Sequence, residues 1–106
     1  MSFHTVAIFG GDTDPGYRLT QKAVAAGFKV LSVLRGSREF DYIRRAGAES
    51  MLCDMTDPAA VNRALAGRDG SDIAVVAILG GSPQMNTQGN INVINAAVDA
   101  GVRRFV

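Results

Sequence analysis

Short apolar runs repeat along the chain, and a segment of helical periodicity follows each of them. The runs predicted as strands are residues 5–9, 29–34, 48–53 and 72–79, and a fifth strand opens within 102–106. Strands separated by helices need crossover connections, which are right-handed in nearly all proteins and produce parallel pairing. The pattern therefore predicts an α/β fold, a doubly wound parallel sheet that is Rossmann-like and shortened to about five strands.

The intervening helices are predicted from their start and stop residues. One begins at Pro15 and ends before Gly27, a second spans 38–46, a third follows an N-cap at Thr56 or Asp57, and the fourth ends near Ala100. On the fourth helix Ile91, Ile94 and Val98 recur on one face.

Length and composition predict one globular domain over residues 1–106. The chain is 47% hydrophobic and 20% charged, which is typical of a sequence that folds around a core. Its net charge of +1 argues against nucleic acid or an anionic membrane as a partner. The lone Cys53 cannot form an internal disulfide, which favours a cytoplasmic location, and the longest apolar run, 73–79, is too short to span a bilayer.

The turn from Gly10 to Gly16 follows the first predicted strand and opens the first helix. In a Rossmann fold, glycines here permit a tight turn, close approach of backbone amides to a diphosphate, and close packing of helix on strand. Thr13 stands where the middle glycine would be, and the carboxylates of Asp12 and Asp14 would repel a diphosphate unless they cap the helix. Two interpretations stay open, a dinucleotide-binding turn and a purely structural one.

The chain resembles the atypical short-chain dehydrogenase/reductases, in particular the NmrA-like NAD(P)-binding proteins. The stretches that carry the resemblance are residues 6–16, Val33-Leu34-Arg35, residues 53–57, and residues 89–97 leading into 101–106. The last of these is the most specific.

The resemblance implies a role for Arg35, whose counterpart in relatives contacts the 2′-phosphate of NADP. The residues favour the same conclusion, because a dinucleotide fold that takes NAD has an acid at the end of its second strand and this chain has an arginine. We therefore expect NADP rather than NAD. A solvated arginine that contacts no cofactor is the alternative.

By the same resemblance, Asp54 and Met55 would lie near the adenine, and Leu79, Gly80 and Gly81 would line the nicotinamide side. Asp54 could instead cap the next turn. The full set predicted to bind the cofactor is Gly10, Gly11, Asp12, Thr13, Asp14, Pro15, Gly16, Arg35, Asp54, Met55, Leu79, Gly80 and Gly81.

No catalytic residue is predicted. The sequence stops before the segment in which relatives carry an active-site serine or threonine and a Tyr-x-x-x-Lys pair, and neither Tyr17 nor Tyr42 fits that motif. The expected function is an NADP(H)-binding domain related to these oxidoreductases, with an incomplete catalytic site. His4 has no acidic or cysteine partner at ligand spacing, so no metal site is expected.

Without a further strand and helix, an apolar edge and face near Ile94, Val98, Val102 and Phe105 would be exposed. This predicts a homodimer that covers them.

Two other functions remain open. One is a non-catalytic dimeric Rossmann domain that binds no cofactor. The other is a receiver-like signalling domain, for which Asp12, Asp14 and Asp54 would hold Mg²⁺ and accept phosphate, although the glycines of the turn disfavour it.

Overall fold

Within the residues that the structure describes, five parallel strands form one sheet in the order β3-β2-β1-β4-β5. The computed structural model describes residues 4–11, 13–35, 40–79 and 83–105. The strands are β1 (Thr5–Phe9), β2 (Lys29–Leu34), β3 (Glu49–Leu52), β4 (Ile73–Ala77) and β5 (Arg104–Phe105). The predicted Rossmann-like α/β fold is confirmed. A flavodoxin-like receiver would pair β3 directly with β1, whereas here β2 lies between them.

In these described ranges four helices connect the strands, with a short 3-10 turn before β4. They are α1 (Asp14–Ala25), α2 (Phe40–Arg45), α3 (Pro58–Leu65) and α4 (Pro83–Asp99), and the 3-10 turn is Gly70–Asp72. The sequence prediction of β4 as 72–79 was too long at both ends, because Asp72 belongs to the 3-10 turn and the ladder stops at Ala77. The predicted β3, 48–53, is likewise shorter, and the first two residues predicted for α2 lie outside the described residues.

The sheet carries one helix layer on each face. Alternate residues of β1 supply both cores: Ala7 and Phe9 pack with α3 and α4, whereas Val6 and Ile8 pack with α1 and α2. Because β1 lies in the middle of the sheet and both its faces are covered, every residue after Thr5 is apolar and buried rather than alternating with polar residues.

The apolar stripe predicted on α4 faces away from the sheet. Ile91, Ile94 and Val98 are 46%, 44% and 70% exposed, and Phe105 of β5 is 42% exposed. The predicted exposed face is thus present at these positions. The prediction that Val102 would be exposed is wrong, since it is partly buried and packs against the core beneath α4.

In the part of the chain that the structure describes, none of the helices combines the length and the apolar character needed to cross a bilayer.

Candidate functional site

In a sheet of this kind a ligand crevice is expected where the strand order reverses, which is at the carboxyl ends of β1 and β4. The chain leaves β1 toward β2 and α1 on one side, while β4 and β5 lie on the other. The turn at 10–16 begins at the end of β1, and Leu79 lies just beyond the end of β4. These predicted site residues therefore share one edge of the sheet.

Gly10 makes the sharp turn out of β1. Its φ is +99°, a left-handed conformation, and its N–H donates to the Val33 carbonyl at 2.9 Å. A Cβ built at this position would lie 1.9 Å from the carbonyl oxygen of Ile78. Glycine is required here for both backbone angle and space.

Thr13 caps α1 from within the turn. Its φ of −83° is one that any residue adopts, so the middle position does not need glycine for its conformation. The Thr13 hydroxyl donates to the Gly10 carbonyl at 2.7 Å and accepts from the Gly16 N–H at 3.1 Å. The side chain therefore turns inward and closes the turn.

Few backbone donors remain on the described part of the turn. Gly10 and Gly11 both donate to the Val33 carbonyl, Pro15 has no N–H, and Gly16 donates to Thr13. The amide of Asp14 has no acceptor among the described residues, and its side chain is exposed. Asp12 lies outside the described residues.

A groove of about 500 Å³ opens at the carboxyl ends of β2 and β3, and none of the described turn residues lines it. It brings together Arg35, Asp54 and Met55, three residues predicted from the sequence. Its full lining is Arg35, Leu52, Cys53, Asp54, Met55, Thr56, Asp57, Ala60 and Arg63.

Asp54 closes the turn that follows β3. One of its carboxylate oxygens accepts from the Thr56 N–H at 3.0 Å and from the Thr56 hydroxyl at 2.6 Å. These two hydrogen bonds favour the charged form and hold the pKa of Asp54 below its ordinary value. The capping role that the sequence left open is therefore present, and the carboxylate still lines the groove.

Met55 lines the groove but, unlike Asp54, is almost fully buried. It is only 2% exposed and belongs to the core. Its carbonyl oxygen accepts a 2.8 Å hydrogen bond from the side chain of Asn92, a buried residue of α4. Asn92 was not predicted as part of the site. The available signal was an amide side chain beside Val93 and Ala96 on the buried face of α4.

Cys53 and Arg63 were also not predicted to line the groove. The Cys53 thiol is buried, and burial raises its pKa. The Asp54 and Asp57 carboxylates raise that pKa further, while the Arg63 guanidinium acts in the opposite direction. The thiol is therefore neutral at pH 7, and the guanidinium of Arg63 is near it.

Leu79 packs against the core at the end of β4. A Cβ built on Gly89 of α4 would come within 2.7 Å of the Leu79 Cδ1 atom, so helix and loop are in close contact. Gly80 and Gly81, the other residues predicted for the nicotinamide side, lie outside the described residues.

His4 is exposed, and it has an acidic partner in space although none stands at ligand spacing along the sequence. Its Nδ1 atom lies 2.6 Å from the Asp72 carboxylate, which also accepts the His4 N–H at 3.0 Å. The two residues are distant in sequence and meet only because β1 pairs with β4. Within the described ranges, no group of three or more histidine, cysteine, aspartate or glutamate side chains could hold a metal ion.

A sequence profile of a family described as NAD(P)H-binding matches residues 10–106. The chain belongs to the NAD(P)H-binding family. The match starts at Gly10, the first residue of the phosphate-binding turn predicted from the sequence. A search of curated proteins gave no match.

Solved structures of other proteins share the fold of this NAD(P)H-binding chain. An anaerobillin reductase from Escherichia coli O157:H7 is 24% identical, with a TM-score of 0.80 over 95% of this chain and 48% of that one. A short-chain type dehydrogenase/reductase from Mycobacterium ulcerans is 21% identical, with a TM-score of 0.82 over 94% and 48%. The NADPH-dependent quinone oxidoreductase of Escherichia coli, complexed with NADPH, is 22% identical, with a TM-score of 0.75 over 94% and 35%.

The chain spans half or less of the length of these three proteins. At this level of identity the likeness concerns the fold. The predicted relationship to NAD(P)-binding Rossmann-like proteins is confirmed by the family match.

The edge of the sheet fits the dinucleotide that names the family. The turn at Gly10 and Gly16 has no room for a Cβ at either glycine, since one built on Gly16 would lie 2.1 Å from the Gly10 carbonyl oxygen. Both contacts are with the protein's own backbone, so these glycines permit the sharp turn and the close packing of α1 on β1 that the Rossmann turn requires. Arg35 lies in a groove large enough for part of a nucleotide.

Proposed function

We propose that this NAD(P)H-binding chain holds NADP(H) as a single domain of residues 1–106. Residues 10–16 would contact the diphosphate, Arg35 the 2′-phosphate, Asp54 and Met55 the adenine, and residues 79–81 the nicotinamide side. The observation that carries the proposal is the position of Arg35 in one groove with Asp54 and Met55. The same strand end is tied to the glycine turn, because the Val33 carbonyl accepts from the Gly10 and Gly11 amides.

Diphosphate binding requires donors at the start of α1. The Asp14 amide supplies one, and the Gly16 amide becomes a second when the Thr13 hydroxyl releases it. The exchange replaces a neutral hydroxyl acceptor by a charged phosphate oxygen, which forms the stronger hydrogen bond. The partial positive charge at the helix N-terminus adds to it.

The preference for NADP rests on Arg35. A strand-end acid would accept from the ribose hydroxyl of NAD, whereas a guanidinium can form two parallel hydrogen bonds with a phosphate. An anionic ribose phosphate is therefore the better partner for this position.

The domain is a relative of reductases in which we assign no residue to catalysis. Titration with NADPH tests nucleotide binding, and incubation with a panel of quinones and aldehydes tests turnover. Enhanced NADPH fluorescence without oxidation is the result expected of a binding domain, and oxidation would assign the chain to the oxidoreductases.

The matched pair R35Q and K29Q tests the cofactor preference. Each removes one positive charge, but Lys29 starts β2 at the opposite edge of the sheet. Calorimetry should show about tenfold weaker NADP binding in R35Q and unchanged binding in K29Q. Absence of heat with both NADP and NAD in the unsubstituted protein would overturn the proposed function.

We also infer that two copies associate through α4. The helix has an apolar exposed stripe of Ile91, Ile94 and Val98, and Asp99 is its only charged residue. Two such stripes can meet without repulsion between like charges, and a two-fold dimer brings the same surface together from both copies. A stable monomer at micromolar concentration in light scattering would contradict this, and V98E should dissociate the dimer.

The proposed location is the cytoplasm, because a chain with one buried cysteine needs no oxidising compartment. Cell fractionation with an antibody to the chain tests this, and recovery from a secreted or periplasmic fraction would contradict it.

A further inference from the structure

Arg63 has no role in the nucleotide contacts described above, yet it lines the same groove as Arg35. It belongs to α3, one helical turn beyond Ala60 and two beyond Asp57, both of which also line the groove. The groove therefore has one guanidinium from the end of β2 and another from a helix.

The carboxylates in the groove are bound to their own turns. Asp54 accepts twice from Thr56, and Asp57 accepts the Ala59 N–H at 3.1 Å as the N-cap of α3. Arg63 forms no ion pair with either carboxylate within the described chain. This contrasts with Arg68, in the loop that follows α3, whose guanidinium is bound to Glu49 and to the Ala64 carbonyl.

We propose that Arg63 determines nucleotide specificity, by forming with Arg35 a two-sided site for the phosphomonoester on the adenosine ribose. The proposal rests on the proposed NADP binding. Guanidinium groups suit this ligand because their donors match the oxygens of phosphate, and two cations neutralise its double charge.

The effect of Arg63 should be confined to nucleotides that carry the 2′-phosphate. In R63Q the affinity for NADP should fall about tenfold while the affinity for NAD stays unchanged, since only the former has the anion. R63K keeps the charge but not the planar pair of donors, so it should recover part of the loss.

The deciding probe is adenosine 2′,5′-bisphosphate, compared with AMP by calorimetry on the full chain. The increment in affinity due to the 2′-phosphate should be large in the unsubstituted protein and in K29Q, and reduced about tenfold in R63Q. Circular dichroism establishes whether each variant is folded. If R63Q is not folded, the affinity increment is measured in R63K instead.

An unchanged increment in R63Q would overturn the role of Arg63 while leaving NADP binding through Arg35 intact. Equal affinity of the unsubstituted protein for the bisphosphate and AMP would overturn the two-arginine site. A third outcome is that the bisphosphate binds in an Arg63-dependent manner but NADP binds no more tightly than the bisphosphate does. The proposed contact of residues 10–16 with the diphosphate would then be wrong, and the role of Arg63 would stand.

Discussion

The side-chain amide of Asn92 donates to the main-chain carbonyl of Met55 at 2.8 Å, joining the buried face of α4 to the loop that lines the groove. The Asn92 oxygen in turn accepts from Gln88 at 3.0 Å, so both ends of the amide are bonded. One buried polar group thus fixes the loop after β3 against a helix that lies far along the sequence.

N92A should lower the free energy of unfolding by about 1–3 kcal/mol, because it leaves the buried Met55 carbonyl without its donor. N95A, on the exposed side of the same helix, is the control and should change stability by less than about 0.5 kcal/mol. Urea denaturation measures both. Equal effects would show that the contact with Met55 contributes nothing.

Gly10 and Gly27 separate the cost of backbone angle from the cost of a clash. Both have positive φ, +99° and +93°, but a Cβ at Gly27 meets no atom within 4 Å. G27A should cost about 1 kcal/mol from the left-handed conformation alone. G10A should cost several times more, because the new atom collides with the Ile78 carbonyl. Similar melting temperatures for the two variants would refute the close packing at the turn.

T13A should lower stability without lowering nucleotide affinity. Loss of the N-cap hydroxyl should lower the free energy of unfolding by about 1 kcal/mol. The same change releases the Gly16 amide, so NADP affinity should hold or increase. T13S retains the cap and serves as the control. A loss of affinity in T13A alone would mean that the hydroxyl itself binds the cofactor.

The fully buried hydroxyl of Ser32 has no hydrogen-bond partner in the described structure. The same is true of the hydroxyl of Ser50, which is aligned with Ser32 in the β2–β3 register. Because an unpaired buried hydroxyl is costly, S32A should raise the free energy of unfolding by about 1 kcal/mol. T20V removes a buried hydroxyl that does donate, to the Gly16 carbonyl at 2.8 Å, and should lower it. Denaturant unfolding of the pair tests the opposite signs.

Asp69 should contribute to the pH dependence of stability. Hydrogen bonds from the Ser71 hydroxyl and N–H hold its pKa below the ordinary aspartate value, with a smaller effect of Arg103. A pKa lowered in the folded state stabilises the protein above the ordinary value, and the contribution is lost as pH falls through the lowered one. S71A should bring the pKa of Asp69 closer to its ordinary value in a carboxyl NMR titration. The S71A variant should be less stable than the unsubstituted protein near pH 7, and this difference should vanish in strong acid, where Asp69 is protonated in both.

The sequence predicted β1 and β2 with their exact bounds because both are short runs of mostly apolar, β-branched or aromatic residues closed by a glycine or an arginine. The choice between Thr56 and Asp57 as the cap of α3 could not be made, since both side chains suit it. The structure assigns the cap to Asp57, while Thr56 donates to Asp54.

The arrangement of the groove was only partly predictable. Arg35, Asp54 and Met55 follow strands, and the ends of parallel strands meet at one edge. The positions of Arg63 and Asn92 depend on how α3 and α4 pack across the sheet, which no local pattern fixes. The pairing of His4 with Asp72 has the same origin, because it requires β1 and β4 to be neighbours.

The strand order also governs the route by which the chain folds. Thr5 is aligned with Lys29 on one side of β1 and with Ile73 on the other. The β1–β2 unit closes a short loop, whereas the partner on the other side is synthesised much later and closes a long one. During synthesis one hydrogen-bonding edge of the central strand β1 must therefore wait for β4, and that interval is when the nascent chain is most vulnerable to aggregation.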